Sequence, residues 1–277
     1  MEVPVKIKKI CIIALIFILS GCAAREKQAF ENGKLLMEEG KYVEAVGEFD
    51  KAIGFHGSKN IRGLEIDILR YRAEAEYRAG EYKAAEHTYK LLMSADEERS
   101  EYLDMLAIIY TNLCNTDMDV EIDDAISMYE QAAKHGGKNE VHINAGLSIV
   151  HYYEEMYDKN MEATYLDQAE ERLKKLLEET GRKNAKVLAV YAAHMSKRED
   201  YENALAAVEE GIALLDGKNL DKNNEEVLKS LIFSKGSCYE YMSEYEKALE
   251  CFQLYIDRYG ETEEVAHEVA FLKSRLR

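Results

Sequence analysis

Gly40-Lys41-Tyr42-Val43-Glu44-Ala45-Val46-Gly47-Glu48-Phe49-Asp50-Lys51-Ala52 reads as a tight turn entering a helix. Ala45, Phe49 and Ala52 fall at helical spacing on one face. The phrase returns along the chain. Gly80-Glu81-Tyr82 leads to Ala85 and Tyr89, Tyr201 leads to Ala204 and Val208, and Tyr245 leads to Ala248, Phe252 and Tyr255. Two looser copies set Ala125, Tyr129 and Ala132, then Ala169, Leu173 and Leu176, in the same phase. The shared alanines at 45, 85, 125, 169, 204 and 248 are 40, 40, 44, 35 and 44 residues apart. That is a helix-turn-helix unit repeated six times with connections of unequal length. The residue types suit helix packing, because alanine lets two helices approach closely and the ring fills the space beside it.

Around this phrase the first unit adds Ala29 and Gly33 on a preceding helix. The last matches through Ile232, Gly236, Tyr239, Tyr245, Ala248 and Phe252. The second keeps Leu69, Ala73, Gly80, Tyr82, Ala85 and Tyr89, and the fifth keeps Leu188, Ala192, Tyr201 and Ala204. This pattern resembles the tetratricopeptide repeat. Units three and four depart from it, with extra residues near Asn115 to Asp119 and near Tyr157 to Ala163 and no glycine before the second helix. The proline that often closes such a repeat is also missing, since Pro4 is the only proline. The resemblance implies an all-α fold: a right-handed superhelical solenoid of at least twelve antiparallel helices. Residues Glu261 to Arg277 carry Val265, Val269, Phe271, Leu272 and Leu276 and are expected to cap its end.

Residues 1–21 stand apart. Lys6, Lys8 and Lys9 precede the apolar run Ile10 to Leu19, followed by Ser20-Gly21-Cys22. A basic segment, a short apolar core and small residues describe a secretory signal. Ten apolar residues are too few to span a bilayer comfortably. Leu19-Ser20-Gly21-Cys22 resembles the bacterial lipobox, which implies lipid on Cys22 as the first mature residue. The expected organisation is a lipoprotein signal over 1–21, a lipidated tether over 22–25 and one solenoid domain over 26–277. The protein would be held at the cell membrane or outer membrane by acyl chains, its body facing the periplasm or the exterior.

Cleavage would remove three lysines and Glu2, taking the net charge from −17 to −19. Such a surface disfavours nucleic acid, whose affinity comes largely from cationic side chains neutralising phosphates. It also repels anionic headgroups, so the body is expected to stand off the membrane. Acidic residues keep any helical surface soluble, and a cationic partner is allowed by the sign.

Catalytic patterns are missing from the sequence. No Cys-x-x-Cys, His-Glu-x-x-His, phosphate loop or Gly-x-Ser-x-Gly elbow occurs, and the reading is of a non-enzyme with no cofactor and no metal. The acidic stretch Asp117 to Asp124 fails as a calcium loop, because Ile122 and Met128 occupy the glycine and bidentate carboxylate positions. Cys238 and Cys251 fall on the two helices of one hairpin, close enough for a disulfide to be conceivable, while buried small apolar residues are the simpler reading.

In tetratricopeptide proteins the first helix of each pair lines a groove that takes extended or helical peptides. Carried over by position, the resemblance nominates Phe30, Lys34 and Met37, then Arg70, Glu74 and Tyr77. It continues through Asp104, Ile108, Thr111 and Asn112, then Leu147 and His151, and ends with Phe233 and Tyr241. Phe30, Tyr77, Phe233 and Tyr241 would be the aromatic anchors, with Arg70 and Asn112 supplying polar contacts. Lys34 and Glu74 stand where relatives that grip a C-terminal carboxylate use asparagine, so that mode is not expected. The function implied is a membrane-anchored protein- or peptide-binding scaffold. The alternative is an assembly factor for an envelope complex, similar to repeat-bearing lipoproteins that build pilus secretins or insert barrels.

Overall fold

The six repeated alanines 45, 85, 125, 169, 204 and 248 have no exposed surface, as close helix packing at those positions requires. The computed structural model describes residues 23–55, 63–96, 99–114, 116, 119–217 and 219–276. Cys22 and the signal segment lie outside them. Thirteen helices and no strand occur among the described residues.

The contacts divide the chain into two compact units, Met1–Gly137 and Lys138–Arg277. The first unit holds α1 (residues 23–38), α2 (Tyr42–Gly54), α3 (Leu64–Arg78), α4 (Tyr82–Ala95), α5 (Ser100–Leu113) and α6 (Ile122–Lys134). Ala29 and Phe30 of α1 pack on Ala45, Phe49 and Ala52 of α2, and from α2 to α6 each helix packs on the next. The second unit holds α7 (Glu140–Asn160), α8 (Ala163–Glu179), α9 (Ala185–Lys197), α10 (Tyr201–Leu215), α11 (Lys222–Tyr241), α12 (Tyr245–Tyr259) and α13 (Glu263–Arg275). Its helices also pack in sequence, and the first helices of successive hairpins touch directly, α7 on α9 and α9 on α11. The expected cap is present: α13 lies on α12 and buries Val265, Val269 and Leu272.

Four hairpins share one turn. The backbone N–H of Lys41 donates to Leu36 O at 2.8 Å, Glu81 to Glu76 O at 2.9 Å, Asp200 to Met195 O at 2.9 Å, and Glu244 to Tyr239 O at 2.8 Å. Each closes a first helix with a residue in the left-handed region. Gly40 and Gly80 fill that position in the first two, with φ of 73° and 80°. Glu199 and Ser243 fill it in the last two, both at 62°.

The extra residues expected to separate the fourth pair of helices are instead taken into α7, which runs 21 residues and ends on left-handed Met161. Most of the corresponding third-unit insertion lies outside the described residues. Residues 23–25, expected as a tether, are helical and continuous with α1.

Close approach explains two further glycines. A Cβ on Gly33 would stand 2.4 Å from the Phe49 ring, and one on Gly236 would stand 2.8 Å from the Phe252 ring. Each ring lies directly on the facing helix backbone.

Unit one also contains a polar cluster centred on buried Glu76 and Thr88. Arg72 donates to Asp50 of α2 at 2.8 Å and to the Thr88 hydroxyl of α4 at 2.6 Å, and Thr88 donates to Glu76 at 2.7 Å. Burial lifts the Glu76 pKa, opposed by the Thr88 hydrogen bond and the Arg72 charge. The three described cysteines, Cys114, Cys238 and Cys251, are free thiols whose pKa values burial raises.

Candidate binding surface

Packing removes several expected groove residues from solvent. Phe30 is buried, its ring 6.1 Å from that of Phe49 and 5.4 Å from that of Tyr71, and Leu147 is in the core of the second unit. Asp104, Ile108 and Thr111 are buried on α5, where Thr111 donates to its own helix at Ile108 O. These five cannot serve as exposed anchors, because their helix faces are covered by neighbouring elements.

The two polar candidates are also committed elsewhere. Arg70 donates to Asp96 at 2.7 Å, to the Tyr102 hydroxyl at 2.6 Å and to Asp67 at 3.2 Å. It ties α3 to α5 and to the connection before it. Asn112 donates to Ile108 O at 2.7 Å. Phe233 is half-buried with its ring edge-on to Phe252 and Tyr255. Lys34 pairs with Glu31 at 2.8 Å and sits over the Phe30 ring, Met37 is half-buried, and His151 is exposed.

What stays accessible gathers at the rim where first helices end and second helices begin. In unit one, Arg78 lies over the Tyr42 ring at 5.7 Å and pairs with Glu74 at 2.7 Å. The hydrogen bond to Tyr42 and the Glu74 charge hold the Arg78 pKa above its ordinary value against its partial burial. Tyr77 stands 5.8 Å from Tyr82, and burial followed by the Tyr82 neighbour raises its pKa. In unit two, Tyr241 stacks face to face on Tyr201 at 4.8 Å with 4° between the rings, yet Tyr241 remains 67% exposed. Lys197 bonds Asp158 at 2.8 Å and lies over the Tyr157 ring.

Both rims use one rule. The tyrosine opening a second helix meets the residue closing the first helix of the following hairpin: Tyr42 with Arg78, Tyr201 with Tyr241. Tyr42, Tyr82 and Tyr201 were missing from the sequence nominations, although their place at the start of each repeated phrase was the available signal. Lys197 was missed because its partners are on α7. There a ladder runs along α7 and α9, through Lys186–Asn144 at 2.7 Å, His194–Glu154 at 2.9 Å and Lys197–Asp158. Its partners are 42, 40 and 39 residues apart, the repeat length itself.

Chemically these rims offer aromatic faces beside both signs of charge, which suits side chains of a protein or peptide. Among the described residues, no group of three or more His, Cys, Asp or Glu is placed to hold a metal ion. No described helix is long and apolar enough to cross a membrane.

No family model matches the chain, and no curated protein matches it. Solved structures do. An assembly chaperone of RpL4, Acl4, shares the fold with a TM-score of 0.55 and 18% identity over 91% of this chain and 96% of that one. PilW, described as a widely conserved type IV pilus biogenesis factor, gives a TM-score of 0.57 and 11% identity over 91% and 98%. BtubC from P. vanneervenii gives 0.53 and 14% over 88% and 94%. The chain is a tetratricopeptide-like helical solenoid. At these identities the likeness is one of fold.

Proposed function

We propose that the protein is a non-enzymatic scaffold of a bacterial cell envelope, held to its membrane by acylated Cys22, that binds a protein or peptide along the hairpin rim. The observation that carries the binding surface is the Tyr201–Tyr241 stack. A ring that is two-thirds exposed yet held flat against another is already ordered, so a partner covering it loses little further side-chain entropy. Tyrosines in such positions are frequent hot spots. The body would face the periplasm or the cell exterior, from the cell membrane or the outer membrane.

The test is affinity capture with the acylated full chain from native membranes, comparing wild type with Tyr241→Ala. Removing the ring should weaken a specific partner by roughly 1–3 kcal/mol, about ten- to hundredfold in affinity, while leaving the helical circular dichroism unchanged. Unaltered capture by Tyr241→Ala would place the binding surface elsewhere.

A second reading makes the client defined: an assembly factor for an envelope complex. It draws on the fold shared with proteins described as an assembly chaperone and a pilus biogenesis factor. Co-purification of a stoichiometric envelope complex would favour it over a general scaffold.

A further inference from the structure

We infer that one end of the first two hairpins, carrying Arg25, Lys27, Phe55 and Leu64, lies directly against the headgroups of the bilayer that holds Cys22. The inference rests on the acylation proposed above and adds an orientation to it. Residue 23 is already helical, and α1 continues unbroken into the body, with Glu26, Ala29 and Phe30 buried. The residues following the acylation site are therefore part of a packed helix and supply no flexible spacer. At a rise of about 1.5 Å per residue, Arg25 and Lys27 lie about 3 and 6 Å beyond residue 23 along the axis.

Ala29 of α1, Ala52 of α2 and Ile68 of α3 share one buried cluster. The end of α2 and the start of α3 are thereby brought to the same end of the unit as residue 23. Phe55 and Leu64 sit there, 36% and 37% exposed, at the same end as exposed Arg25 and Lys27. Most charges there are paired, Asp50 with Arg72 at 2.8 Å, Asp67 with Arg70 at 3.2 Å and Glu48 with Lys51. The opposite end of the first hairpin exposes Glu38, Glu39 and Glu44 with Val43, and Lys41 pairs with Glu39 at 2.7 Å. Net charge predicts a body repelled from the membrane, but the first turns of α1 set two exposed cations, Arg25 and Lys27, next to the lipid site. Exposed Arg25 and Lys27, with the partly apolar Phe55 and Leu64, adjoin the lipid site, an arrangement an anionic interface favours.

The chain contains no tryptophan, so one introduced ring is a sole reporter. Full-length acylated Phe55→Trp, Leu64→Trp and Val43→Trp proteins would be reconstituted into vesicles of phosphatidylcholine and phosphatidylglycerol with chains brominated near the headgroup. The Phe55→Trp and Leu64→Trp proteins should lose at least half their fluorescence, and Val43→Trp should lose almost none. Adding Arg25→Glu and Lys27→Glu to Phe55→Trp should reduce that quenching at least twofold. Equal quenching of all three reporters, or none in any, from protein whose mass confirms acylated Cys22 overturns the orientation. A mass lacking the acyl groups overturns the anchor itself, and the inference with it, so the two failures are told apart.

Discussion

The residue that turns each hairpin shows how a single backbone angle separates otherwise similar repeats. Gly40 and Gly80 meet the left-handed turn without a Cβ, whereas Glu199 and Ser243 adopt it against a steric cost of about 1–2 kcal/mol. Glycine in their place removes that cost but adds entropy to the unfolded chain, so the net gain is smaller. Ser243→Gly should stabilise the protein by about 0.5–1 kcal/mol in urea unfolding. Glycine's other use has the opposite sign. At Gly236 a methyl would stand 2.8–3.0 Å from the Phe252 ring, which is fully buried and cannot swing clear. Gly236→Ala should therefore cost about 1–3 kcal/mol in the same measurement. The repeated pattern places both glycine types, but only backbone geometry shows that Ser243 does a glycine's work.

At the scale of elements, α11 and α13 share a pair of carboxyl groups. Burial, then the charge of Glu268 and a hydrogen bond to it, raises the Glu240 pKa from 4.5 to about 7. Between those values folded Glu240 keeps a proton that unfolded Glu240 has released. Its contribution to stability is complete below about pH 4.5 and is lost as pH rises through about 7. Glu240→Gln cannot ionise. Thermal melts at pH 5 and pH 8 should show the wild type losing more melting temperature between the two than the variant does. An equal decline in both would mean that Glu240 does not sense the folded state. This pair was illegible in the sequence because 28 residues separate its members, and α13 was recognisable only as an amphipathic cap. Helix spans, by contrast, follow from local spacing. The second helix of the fifth hairpin, Tyr201–Leu215, starts at the tyrosine that opens its repeated phrase.

For the whole molecule the governing expectation is a single covalent lipid anchor beneath a strongly acidic helical body. Acylation contributes about 0.8 kcal/mol per buried methylene, more than enough across several chains to dominate residual contacts of the polypeptide. Cys22→Ala should carry no acyl groups and should keep the unprocessed precursor mass, whereas the wild type should fractionate with membranes at its acylated, processed mass. Retention of the variant on membranes with processed mass would reject the lipobox reading.

What the sequence determined by itself is everything with a short period. Alanine, glycine and aromatic residues at turns of three, four and seven specify hairpins, their number and the buried seam, because these depend on neighbours within one helix pair. The six alanines are all fully buried as that logic requires. Tertiary structure decided what the exposed-looking faces meet. Phe30 and Tyr241 both stand on first helices, yet Phe30 is enclosed by Phe49 and Tyr71 while Tyr241 lies open on Tyr201. Arg70 was legible as a polar residue on a first helix, but its partners Asp96 and Tyr102 lie 26 and 32 residues away. Helical spacing states which side chains share a face. Only the packing of one hairpin on the next determines whether that face is covered, because burial is a property of the contact between elements and not of either helix alone.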